Sequence, residues 1–379
     1  MFSRAFKYSR FLSIAAILLA GIGSSSFAEE GMWTLDDLPT KAIQSKYGVK
    51  LDDAWAKKVM QSSVRLGNGC SGSFVSSDGL VMTNHHCSRG CIFQLSTAKK
   101  NLLEEGFYAA KPSEEKQCPA LEISRLNEIK DVTKEVHKAL KGLKDKAYSD
   151  KLKEITARLE KECSGGSEKV RCDLVSLYYG GKYNLYKYDR FKDVRLVMAP
   201  DQAIGHFGGD PDNFNFPRYS FDVSFLRVYE DGKPLQNKEY FKWSKAGAKE
   251  GELTLITGHP GATQRLMTIA QLEYLRDVAY PHILNEYSEV RGMLTQYMSS
   301  GKEQNRRGEA RLASVENTLK ALKGRVQSLR DKEFFGKIKA EEERFRKKIT
   351  SKSASRNKYG QAWSEIAKVV EKQKDNAMQ

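Results

Sequence analysis

The chain has 379 residues, 40% of them hydrophobic, with 63 Lys/Arg against 48 Asp/Glu for a net charge of +15, and six cysteines. That length suits roughly two domains, and the apolar fraction sustains a packed core. The positive excess is local, with 21 Lys/Arg against 11 Asp/Glu in residues 301–379. It accompanies helical spacing without any nucleic-acid motif, so a solvated helix face is expected there and nucleic acid is excluded as a partner.

Residues 1–28 read as a secretory signal. Arg4, Lys7 and Arg10 precede the apolar run Phe11–Gly21, and Ser26-Phe27-Ala28 is a small-x-small cleavage site. The run is too short to span a bilayer, and no later stretch reaches about 18 apolar residues. A bacterial periplasmic or secreted address follows, with no membrane association after signal removal. Export makes the cysteines readable as disulfides. Cys70 and Cys87 flank a hairpin, and Cys163 and Cys172 bracket Ser164-Gly165-Gly166-Ser167. Cys91 and Cys118 are left as a third pair by elimination, although six cysteines allow 15 pairings. No Cys-x-x-Cys occurs, so neither a metal nor any other cofactor is expected.

A short helix is expected near Ala54–Met60. Gly69–Val75 and Leu80–Cys87 then form two strands around an Asp78-Gly79 turn. Residues 97–111 and 119–162 look helical, with Val132, Val136, Leu140, Leu143, Leu152, Ile155 and Leu159 at three- and four-residue intervals. Strand character returns at Val194–Met198. A Gly- and Asp-rich loop covers Gly205–Arg218, followed by an alternating strand at Phe221–Tyr229. Gly251–Gly261 reads as a further buried strand. From about Met267 the pattern is helical, with a 4-3 seam at Leu312, Val315, Leu319, Leu322, Val326 and Leu329. Trp363, Ile366 and Val370 continue the helical spacing. The boundary between a β part and a helical part falls near residues 262–270.

His86 directly precedes Cys87 at the end of a strand, and Cys70 lies seventeen positions upstream. The general-base histidine of secreted trypsin-like proteases sits in a similar setting, so His86 is assigned as the general base of a serine peptidase. Such a base needs a carboxylate to orient it and to stabilise its imidazolium form. Asp222 opens an apolar strand and is the candidate, with Asp210 and Asp212 as rivals. His85 and His259 read as packed neighbours. Ser71 and Ser73 resemble a protease serine loop only superficially, because they precede the histidine on the adjoining strand. No Gly-x-Ser-Gly segment stands elsewhere, so neither a nucleophile nor its oxyanion donors are identified.

Several separated motifs carry a resemblance. They are Gly31-Met32-Trp33, the Asn84-His85-His86-Cys87 hairpin, the loop from Gly208-Gly209-Asp210 to Pro217-Arg218, and Gly258-His259-Pro260-Gly261-Ala262-Thr263-Gln264-Arg265. In this order the chain resembles the N-terminal half of the bacterial dipeptidyl-peptidase 7 / dipeptidyl-peptidase 11 family of exported serine peptidases. The resemblance implies a mixed α and β fold. Residues 29–265 would form the N-terminal half of a chymotrypsin-like β-barrel peptidase domain with a helical insertion at about 97–162, and residues 266–379 an incomplete α-helical cap. It also implies a Ser-His-Asp dipeptidyl-peptidase that releases dipeptides from peptides with a free N-terminus. His86 and Asp222 would be catalytic, and Asn213 and Phe214 would hold the substrate's amino group, Phe214 standing where the family has Trp. The serine is expected on a missing C-terminal half. A complementing half or a homodimer are the protein partners this allows. The alternative is a catalytically inactive periplasmic peptide-binding pseudo-peptidase, or a truncated remnant.

Overall fold

A computed structural model describes residues 32–97, 99–260, 264 and 266–377. The expected signal segment, Gly31, Gly261–Thr263 and Arg265 lie outside the described residues. Two compact units form: the described chain up to Asp52 together with Ser244–Ile256, and Asp53–Trp243 together with the chain from Thr257 on. The first contains the helix Thr40–Tyr47, which ends at Gly48 in the left-handed conformation with φ 67°.

The second unit contains eleven strands in one antiparallel sheet. They are β1 (Ser63–Leu66), β2 (Ser71–Phe74), β3 (Leu80–Thr83), β4 (Phe107–Tyr108), β5 (Lys116–Gln117), β6 (Ile123–Asp131), β7 (Val170–Leu177), β8 (Lys182–Phe191), β9 (Asp193–Ala199), β10 (Ser224–Glu230) and β11 (Lys233–Pro234). The ladder runs β4-β9-β10-β3-β2-β1-β6-β8-β7, with β11 on β10 and β5 on β9. Its two arms return to each other. Arg125 Nη1 of β6 donates to Asn237 Oδ1, just past β11, at 2.9 Å, and Lys169 ahead of β7 pairs with Glu230 of β10 at 3.2 Å. The sheet is therefore curled, and Val64, Phe74, Val81, Ile123, Leu196 and Leu226 share one buried cluster inside it. The hairpin β2–β3 stands where expected, but its second strand ends at Thr83 rather than reaching Cys87, because a helix begins at His85. Gly79 turns the hairpin at φ 75°, where an added Cβ would lie 2.8 Å from the Val228 carbonyl oxygen.

Three further sequence expectations change. Among the described residues of 97–111, Leu102–Glu105 alone are helical, because Gly106 stops that turn and Phe107–Tyr108 pair with β9. Residues 123–131 are the strand β6, and helices occupy only Thr133–Leu140 and Asp145–Ser164 of the stretch predicted as helical. Gly251–Gly261 is not a buried strand: its described part has no ladder partner among the described residues, and Leu255 and Ile256 are exposed.

The mixed α and β character is completed by a helical arm. The helix Ile269–Tyr274 opens with a Thr268–Gln271 capping box and continues through a wide turn into Tyr280–Ser299. A two-residue link reverses the chain into Lys302–Arg330, followed by Lys332–Thr350, Ser353–Tyr359 and Ala362–Ala377. The predicted seam is buried at Val315, Leu319, Leu322, Val326 and Leu329. Three disulfides form: Cys70–Cys87, Cys91–Cys118 and Cys163–Cys172. Among the described residues no helix is long and apolar enough to cross a membrane.

Candidate active site

Strand register brings the candidate pair together. β3 and β10 run antiparallel with Thr83 opposite Ser224, so the residues just after Thr83 face those just before Ser224. Asn84 and His86 thereby meet Asp222 across the end of the ladder. His86 lies in the first turn of the helix His85–Leu95, and the Cys70–Cys87 disulfide ties that turn to the start of β2. The Asn68 side chain adds a hydrogen bond to the Cys87 carbonyl at 2.8 Å.

Asp222 Oδ2 lies 2.7 Å from His86 Nδ1, and its Oδ1 accepts the His86 backbone N–H at 2.9 Å. The Asn84 amide donates to the Asp222 carbonyl at 3.1 Å and to Oδ2 at 3.3 Å. An ionised carboxylate only accepts hydrogen bonds, so in the neutral ring this contact sets the proton on Nδ1 and leaves the lone pair on Nε2. Burial opposes ionisation of Asp222. The bonds from the His86 ring and backbone N–H outweigh it and hold its pKa below the ordinary value. The His86 side chain is 57% exposed against 23% for Asp222, so the ring remains open to a reactant.

The rival groups sit elsewhere. Asp210 Oδ1 lies 3.7 Å from His206 Nε2, and Asp212 packs under Gly208, whose φ of 77° and lack of a Cβ admit the carboxylate. Of the three candidate carboxylates, Asp222 alone bonds His86 among the described residues. His85 is fully buried, and burial, reinforced by the Arg89 charge, lowers its pKa. Ser71 Oγ accepts the His259 backbone N–H at 2.7 Å. The sulfurs of Cys70 and Cys87 lie within 4.8 Å of a His86 nitrogen, but they are bonded to each other and offer no thiolate.

Asn213 is buried and held from two sides: its Oδ1 accepts from Arg218 Nη1 at 3.0 Å, and its Nδ2 donates to Asn317 Oδ1 at 2.9 Å. Phe214 follows in the left-handed region at φ 61° and is exposed. Asn317 escaped the sequence reading because its contact spans 104 positions and no local motif marks it.

The fold and this pair define a class: antiparallel β proteins in which a carboxylate holds a histidine in the turn that follows a strand. Within it, the chain belongs to the peptidase S46 family, whose profile matches residues 28–379. It is 33% identical over 380 residues to dipeptidyl-peptidase 7 of Porphyromonas endodontalis, covering 93% of this chain and 45% of that protein. It is 32% identical over 287 residues to the Asp/Glu-specific dipeptidyl-peptidase of Porphyromonas gingivalis, covering 70% and 39%. Its fold is similar to the crystal structure of Porphyromonas endodontalis DPP11 in complex with the dipeptide Arg-Glu, with a TM-score of 0.79 and 26% identity over 93% of this chain and 53% of that one. The chain spans about half the length of the curated relatives it matches.

Proposed function

We propose that this chain is the His–Asp half of a serine-type dipeptidyl-peptidase, with His86 as general base and Asp222 as the carboxylate that orients it. The observation that carries the reading is the 2.7 Å contact between His86 Nδ1 and Asp222 Oδ2 beside an exposed ring. In the reaction, Nε2 takes the proton of an attacking serine hydroxyl as its oxygen bonds the carbonyl carbon of the second residue. The imidazolium then returns that proton to the leaving amine, and water resolves the acyl-enzyme. Asn213 and Phe214 line the subsite for the substrate's free ammonium. Residues 29–265 act as the β half of the catalytic domain and residues 266–379 as its helical cap. In this reading the serine and its oxyanion donors are contributed from outside the segments assigned above, and the test below supplies them from a relative. Three disulfides suit an oxidising compartment, in keeping with export to the periplasm or medium through residues 1–28.

The test is complementation. This chain, mixed or co-expressed with the C-terminal half of a relative, is expected to release a fluorogenic amine from a dipeptidyl substrate, whereas His86→Ala gives none. A silent mixture, or equal turnover with the variant, overturns the proposal.

A further inference from the structure

The helix Lys302–Arg330 carries two stripes on opposite faces. At ~100° per residue, the buried seam from Val315 to Leu329 falls on one side. Arg306, Glu309, Asn317 and Lys320 fall together on the other. Together these four reach three segments around the site. The Arg306 guanidinium lies 4.8 Å from the Phe93 ring centroid, on the helix that begins at His85. Glu309 accepts from Gln202 Nε2, and Asn317 accepts from Asn213. Lys320 Nζ donates to the main-chain oxygen of Asp210 at 3.0 Å and to that of Pro211.

The Lys320 contacts serve the turn Gly209–Asp212, too short for its last carbonyls to be met by a continuing helical ladder. A lysine at a helix C-terminus satisfies such groups, and here it arrives from a distant helix. The same Asp210 oxygen receives the Asn213 backbone N–H at 3.3 Å, and the Pro211 oxygen receives Asn215 Nδ2 at 2.7 Å. Phe214 adopts a backbone conformation that a residue with a Cβ keeps only where its surroundings hold it. We infer that Lys320 is a positioning residue: by gripping the Asp210 and Pro211 carbonyls it fixes the turn that presents Asn213 and Phe214, and so sets how strongly a free ammonium is preferred. This rests on the reading of Asn213 and Phe214 as the ammonium subsite.

Calorimetry on the full chain with a free-amine tripeptide and its N-acetylated twin tests it, alongside hydrogen exchange of the amides of Gly209, Asp210 and Asp212–Asn215. Lys320→Met is expected to cut the free-amine preference about tenfold, to leave the acetylated peptide's affinity unchanged, and to speed exchange in the turn but not in the Cys163–Cys172 region. Lys320→Arg is expected to restore most of the preference. A Lys320→Met chain with wild-type preference and wild-type exchange overturns the inference. A wild-type chain that binds both peptides equally sinks the ammonium-subsite reading instead, and the exchange rates then decide by themselves whether Lys320 holds the turn.

Discussion

Asp222 grips His86 at two points, ring Nδ1 at 2.7 Å and backbone N–H at 2.9 Å. The second contact also caps the helix His85–Leu95, because Asn84 provides no side-chain cap there and the first N–H groups of a helix need acceptors. One carboxylate therefore orients the histidine and anchors the helix that carries it.

The two roles separate by substitution. Asp222→Ala removes both and is expected to cost about 1 kcal/mol of stability through the lost cap. Asp222→Asn keeps an acceptor for the backbone N–H but disrupts the ring tautomer. Its stability is expected to stay near wild type while kcat/KM of the complemented enzyme falls on the order of 10⁴-fold. Urea midpoints and turnover of a fluorogenic dipeptidyl substrate measure the two effects. Parallel losses in both variants would contradict the separation.

His259 gives a pH signature. Burial, with the nearby Arg65 charge, lowers its pKa to about 4. The unfolded chain takes up this proton near the ordinary value of about 6.5, so between these values the unfolded state binds more protons and stability rises with pH. The contribution is complete above about pH 6.5 and is lost as pH falls towards 4. His85 and His206 are shifted in the same direction by burial and the Arg89 charge. His259→Gln is thus expected to shallow the decline in Tm across this window without abolishing it. An unchanged slope would show that His259 does not contribute.

Gly205 makes a third case. A Cβ there would stand 2.9 Å from Cγ and Nδ1 of the His85 ring, which has no exposed surface. Gly205→Ala must displace that ring, and is expected to cost about 1–3 kcal/mol and to lower turnover through the adjoining His86. Urea denaturation with the complemented assay checks both, and wild-type values in each would show that the ring repacks freely.

The site was readable in sequence where chemistry imposes local signatures. A turn between two apolar strands announced the hairpin, and the His-Cys pair just beyond it marked out His86, which the structure sets against Asp222. Asp222 was weaker, since a carboxylate at a strand start is common; the Thr83–Ser224 register singles it out, and register belongs to two strands at once. The misread strand β6 has a physical cause. Its pairing with β8 slips between Leu126 and Glu128, and such a bulge breaks the two-residue alternation. Ile123, Leu126 and Ile129 are left three apart, which imitates a helix. Leu253–Thr257 has strand composition but no ladder with another strand among the described residues, and composition supplies none. The β7–β8 hairpin carried a usable signal in the aromatic and aliphatic runs flanking Gly180-Gly181.

The opposed stripes of the helix Lys302–Arg330 also restrict how this arm can change in length. One residue inserted between Glu309 and Asn317 would swing everything after it through ~100°, carrying Asn317 and Lys320 off the loop and Leu319 and Leu322 out of their packing together. Length variants that preserve both engagements should therefore fall outside this stretch, at the Ser300-Gly301 reversal or beyond Arg330.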